Sequence, residues 1–120
     1  MKQREFPILS TMPPPRDADE RTLRRCDTEQ DAIAVSIALS RVSQAEIARR
    51  MGIAKGYLTM LKKGERVLTS EMATALCYAT GSNLVRQYRT LQSAFRIAQG
   101  RAREADRIAA IASYSQGVAA

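Results

Sequence analysis

Apolar residues along most of this chain recur at helical spacing, and the gaps between them fall at residues that stop helices. From Glu29 to Ser40 they occupy nearly every side, the pattern of an enclosed helix, with Ile33, Ile37 and Leu39 expected against Ile47, Leu58 and Leu61. Thr28, with Asp31 three residues on, is its predicted N-cap. Ser43 and Glu46 form a capping-box pattern that opens a second helix from Gln44 to about Met51. Its buried stripe is Ile47, Ala48 and Met51, which leaves Gln44, Arg49 and Arg50 to solvent or a ligand. Gly52 breaks the pattern, since it takes positive φ at no steric cost, and Ile53 plugs the corner. A third helix runs from Ala54 to Lys62 or Lys63, with Leu58 and Leu61 inward and Lys55, Gly56, Thr59 and Lys63 outward, and Gly64 ends it. After a loop over Glu65 to Thr69, Ser70 is the predicted cap of a fourth helix, Glu71 to about Thr80. Met72, Ala75, Leu76 and Ala79 form its stripe, and Gly81 stops it.

Ser82 is the predicted cap of a fifth helix whose apolar positions step by four and three: Leu84, Tyr88, Leu91, Phe95, Ala98, Ala102, Ala105, Ala109 and Ala112. That is a heptad seam. Leu84 and Tyr88 finish the domain core, and the seam from Leu84 through Tyr88, Leu91, Phe95 and Ala98 is the candidate dimer interface. Two readings remain open. Either the helix passes Gly100 and pairs with its copy, or Gln99 and Gly100 break it and Arg101 to Ser115 folds back or docks on the neighbour. Gly100 costs a helix about 1 kcal/mol relative to Ala, too little to choose between them. Both predict a homodimer.

At the other end, Met1 to about Arg16 holds one apolar cluster, Phe6, Ile8 and Leu9, followed by Pro13, Pro14 and Pro15, which favour extended backbone. It reads as an arm, either without a role or touching DNA or a partner subunit. Asp17 to Arg25 suits a short, weakly held helix. The chain thus divides into residues 1–27, an arm; 28–88, a helical domain; and 89–120, a helical extension.

The pair of short helices from Ser43 to Gly64 carries the functional signal. Two helices crossing this closely leave room at Ala48 for little more than a methyl, and a larger residue overpacks the joint by about 1–3 kcal/mol. Gln44, Ile47, Ala48, Met51, Gly52, Ile53, Leu58, Leu61 and Gly64 fall where the lambda repressor and Cro (XRE-like) family of transcription regulators places the same or similar residues, so Glu29 to Tyr88 resembles its helix-turn-helix domain. The resemblance implies an all-α, five-helix lambda-repressor-like fold that binds double-stranded DNA as a homodimer on an inverted repeat. It implies base contacts from Lys55, Gly56 and Thr59. Phosphate contacts fall to Gln44, Tyr57, Lys62, Lys63, Arg66, Arg49 and Arg50. Lys55 is the best placed to donate to guanine O6 and N7, with a plain phosphate contact as its alternative. Gly56 departs from the family pattern, where a long polar side chain is common, and so does the connection at Arg41 and Val42, where a glycine is common.

Charge agrees with a polyanion partner. Lys and Arg number 19 against 12 Asp and Glu, a net +7 with an isoelectric point near 10.0. Thr28 to Gly64 holds six bases and three acids, against six and five over Met1 to Asp27. With no His and only Cys26 and Cys77, a zinc site lacks ligands, and no cofactor is expected. The thiols read as free and cytosolic, with no signal peptide or membrane span. Catalysis is not expected, for want of His, paired carboxylates or a phosphate-cradling loop. The predicted activity is repression by a cytoplasmic dimer, with a regulatory protein as a possible further partner. The alternative is a protein-interaction module on the same fold, such as an antitoxin or polymerase-binding factor.

Overall fold

The structure is a computed structural model that describes residues 12–119. The apolar cluster at Phe6, Ile8 and Leu9 lies outside the described residues. Six helices follow one another: α1 (Glu20–Arg24), α2 (Glu29–Ser40), α3 (Gln44–Met51), α4 (Lys55–Lys63), α5 (Ser70–Thr80) and α6 (Leu84–Ala119). The fold is all-α, with a single parallel bridge between Arg16 and Ser82 as the extended pairing among the described residues. One compact unit ends at Arg89, and a second begins at Thr90.

In the first unit α2 packs on α4 and α5, and α3 packs on α4 and α5. Ile33, Ile47, Met51, Leu58, Leu61, Leu76, Leu84 and Val85 are all fully enclosed. Burying each such side chain contributes about 1.5–3 kcal/mol. Surface ion pairs such as Arg24 with Glu20 contribute about 1 kcal/mol or less, so the core decides the fold. Leu39 does not join it: it is 59% exposed, because the buried face of α2 is Ala32, Ile33, Ser36 and Ile37. Ser36 is accommodated there by donating its hydroxyl to the Ala32 carbonyl at 2.7 Å.

Caps explain the helix ends, with some departures from the sequence reading. Thr28 and Asp31 form a full capping box, each side chain accepting from the other's backbone N–H. At α3 only half of the expected box forms: Ser43 accepts from the Glu46 N–H, but the Glu46 carboxylate turns to Arg49 and Arg50. Thr69, not Ser70, caps α5, accepting from the Met72 N–H. Asp19 caps α1, which is shorter than the expected Asp17 to Arg25. Gly52, at φ 72°, ends α3 with its N–H on the Ala48 and Arg49 carbonyls, and the Ile53 N–H returns to Ala48 at 3.0 Å. The connection from α2 to α3 makes the same left-handed turn without glycine, since Arg41 sits at φ 58°.

Part of the arm is a strap. The Arg16 N–H donates to Gly81 and the Asn83 N–H to Arg16, at 3.0 and 2.7 Å. Gln87 bonds both backbone groups of Ala18, and the Asn83 amide reaches Pro15 and Asp17. Met12 and Ala18 pack on the core. Residues from Met12 onward therefore belong to the domain.

In the second unit the helix continues through Gly100, without the break at Gln99 and Gly100 that the second reading requires. Leu84 and Tyr88 are 0% and 7% exposed, closed into the first unit's core, with the Tyr88 hydroxyl donating to the Asp27 carbonyl at 2.9 Å. This bears out their expected place in the domain core and corrects their second assignment, to a dimer interface, for which only Leu91, Phe95 and Ala98 of the named set remain.

Arg41 yields a prediction about stability. A left-handed L-residue costs about 1–2 kcal/mol, partly offset by glycine's greater freedom when unfolded. Arg41→Gly is expected to raise the unfolding free energy by up to about 1 kcal/mol, read from the urea midpoint. A lower midpoint would contradict this account of the turn.

Candidate nucleic-acid interface

The α3–α4 joint is built from its smallest residue outward. Ala48 is 2% exposed at the crossing, and Ile47, Met51, Leu58 and Leu61 lock the inner faces beneath it. With those faces inward, the outer side of α4 is fixed: Lys55, Gly56 and Lys63 are exposed, and Tyr57, Thr59, Met60 and Lys62 are half-buried. α4 begins after Ala54 with no side-chain cap, so its first N–H groups, at Lys55 and Gly56, have no intrahelical acceptor. Gly56 is not required by the fold, since an added Cβ would meet nothing within 4 Å.

Gln44 joins the two helices. Its amide nitrogen donates to Thr59 Oγ1 at 2.7 Å, and its amide oxygen accepts from Lys62 Nζ at 3.2 Å. Thr59 Oγ1 in turn donates to the Lys55 carbonyl at 3.2 Å. Four of the sequence-predicted residues, Gln44, Thr59, Lys62 and, through its carbonyl, Lys55, thus form one network, which the sequence pattern did not foretell, and Gln44 is turned toward α4. Arg66 lies over the Tyr57 ring, 5.9 Å from its centroid, and extends the positive surface past the end of α4.

The two arginines of α3 are placed differently from the lysines. Arg49 forks onto Glu46 at 2.7 and 2.6 Å, so its charge is locally balanced. Arg50 is turned inward, against the expectation that it faces solvent or a phosphate: it donates to the Ala79 carbonyl at 2.9 Å and to Glu46 at 3.1 Å, tying α3 to α5. The clue in the sequence was Glu46 itself, spaced three and four residues from two arginines. Hydrogen bonds from Arg49, followed by those from Arg50, hold the Glu46 carboxyl down to about 2.

Cys26 and Cys77 are buried, free thiols whose pKa values are raised by desolvation. Among the described residues no cluster of His, Cys, Asp or Glu is arranged to hold a metal ion, and no helix is long and apolar enough to cross a membrane. No protein-family model, curated protein or solved structure matches the chain.

Glu46 predicts a pH dependence. Its folded pKa lies below the ordinary value of 4.5, so the stability it supplies is present above about pH 4.5 and lost as pH falls through about 2. Glu46→Gln is expected to unfold at lower urea than the parent at pH 7, with the gap narrowing as the acid limit is approached. A gap equally wide at pH 2 and pH 7 would contradict the assignment.

Proposed function

We propose that the chain is a helix-turn-helix transcription regulator of the lambda-repressor-like kind, which enters the major groove with α4. The observation that carries this reading is the outer face of α4: Lys55 and Gly56 lie open at its start and Lys63 at its end, with Lys62 half-buried on Gln44, and Gln44 fixes Thr59 between them. A major groove about 12 Å wide accepts one such helix, and its base edges distinguish all four base pairs. Lys55 is assigned to guanine, with Thr59 beside it. Gly56 lets the backbone come close to a base or phosphate without a side chain between. Lys62, Lys63, Arg66 and Tyr57 take the flanking phosphates, and the uncapped N–H groups that start α3 at Gln44 and Ala45 suit another.

One α4 reads only a few base pairs, so the protein acts as a homodimer on an inverted repeat, with half-sites roughly 34–36 Å apart. Occupying a promoter in this way represses it, in the cytoplasm, with control by abundance or by a regulatory protein partner. The second reading, an interaction module for an acidic protein, uses the same charges without needing Gly56 open. It is the reading to adopt if no sequence-specific DNA complex forms.

Selection from random DNA, followed by anisotropy titration of the recovered site, tests the proposal. Lys55→Ala is expected to cost about 1–3 kcal/mol on the selected site and to relax preference at one position. Changing Lys62 and Lys63 together to Ala is expected to weaken all sequences alike and lower the salt slope by about 2. Gly56→Gln, which leaves the fold intact, is expected to change or abolish the preferred site. Recovery of no enriched site, or equal loss on all sequences for Lys55→Ala, would overturn base reading by α4.

A further inference from the structure

The second unit is one helix with large apolar residues on its surface: Phe95 is 53% exposed on one side, and Ile97, Ile108 and Ile111, 56–59% exposed, lie on the other. Leu91, Phe95, Ala98, Ala102, Ala105 and Ala109 follow heptad spacing, with Phe95, Ala102 and Ala109 at a and Leu91, Ala98 and Ala105 at d. In that frame the positions flanking the seam carry two charges between Leu91 and Ser113: Arg101 at g and Asp106 at e. Glu104 and Arg107 pair within the helix, but Arg101 and Asp106 do not, because residues five apart do not face each other on one helix.

Five residues is, however, the offset that brings a g side chain against the e side chain of a neighbouring parallel helix. From this we infer that the helix beyond Thr90 pairs with a second copy of itself in parallel and in register, with Arg101 of each chain against Asp106 of the other. The charge pattern excludes the antiparallel alternative as the better match. There, g faces g and e faces e, so Arg101 meets Ala94, Ile108 or another arginine, and Asp106 meets Gln99, Ser113 or another aspartate. Parallel pairing instead makes two complementary contacts per dimer and leaves no like charges across the seam. The alanines at Ala98, Ala102 and Ala105 let the backbones come close, and Leu91 and Phe95 supply the larger contacts at one end.

This inference rests on the homodimer proposed above, though not on DNA binding. The full chain is first sized by analytical ultracentrifugation at micromolar concentration. Ala105→Cys places a thiol at a d position, where a parallel in-register pair brings the two copies together. Mild oxidation is therefore expected to link the variant into a covalent dimer, beyond the background of the parent with its buried Cys26 and Cys77. Arg101→Asp and Asp106→Arg are each expected to weaken the dimer by roughly 5- to 10-fold. Mixed together, the two variants are expected to form a heterodimer in which both contacts are complementary again. A parent that dimerises, with no Ala105→Cys linkage and no rescue in the mixture, overturns the parallel pairing and leaves the dimer standing. A monomeric parent overturns both.

Discussion

The close crossing of α3 and α4 governs the rest of the first unit. With only a methyl at Ala48, the two helices approach near enough for Gln44 to reach Thr59 and Lys62, and near enough for Ile53 to close the corner behind Gly52. A wider crossing would separate those groups, since each hydrogen bond tolerates only a few tenths of an ångström. α2 and α5 then act as a platform, since α2 packs on α4, α5 on α3, and the two on each other. The outer face of α4 is thus oriented by residues that never reach the surface.

How much of this was legible follows from the range of the interactions. The helices and their glycine stops are local events, written in spacing and in Gly52, Gly64 and Gly81, all three of which adopt positive φ. Arg41 was the informative exception: the turn it makes is the one a glycine would make, so the missing glycine changed the energy of the connection without changing its course. Contacts across many residues were not legible. Nothing in the neighbourhood of Gln87 announces that its amide will hold Ala18, 69 positions away, or that Asn83 will hold the residues after the prolines. The sequence therefore shows only an arm where part of the segment is strapped to the domain. Leu84 and Tyr88 are legible as core residues, but where the seam stops being core is not. Their heptad spacing continues that of Leu91 and Phe95 without a break, although the chain passes there from an enclosed segment to an open one. Periodicity reports which side of a helix is apolar, and does not report what covers it.

Basic residues divide between two tasks, and the division follows their chemistry. Arg50 and Arg89 are used for geometry. Arg50 spans a carboxylate and the Ala79 carbonyl, while Arg89 spans Glu29 and the Leu68 carbonyl, which ties α6 to α2 and to the loop before α5. A planar guanidinium with five donors suits such multiple contacts, and an ammonium does not. Lys55 and Lys63, by contrast, stand exposed, and Lys62 gives one bond to Gln44 while half-buried. Excess positive charge counted along the sequence therefore overstates what the surface offers, because part of it is consumed in holding helices together.

The consequence for recognition is physical. A face of lysines attracts a polyanion strongly but with little angular demand, because a flexible ammonium is a point charge where a guanidinium is a fork. Beyond the guanine contact proposed for Lys55, discrimination would come from groups held in place, and on this face those are Thr59, fixed by Gln44, and the bare backbone at Gly56. Neither offers the two-pronged contact with a base that a long amide side chain makes. If α4 enters a groove, part of its selectivity has to arise from the shape and stiffness of the duplex that brings backbone against backbone, and part from the spacing that a second subunit imposes. On the proposed reading, strong, salt-sensitive attraction combined with sparse direct contacts would make the geometry of the proposed dimer, more than any single side chain, the main source of specificity.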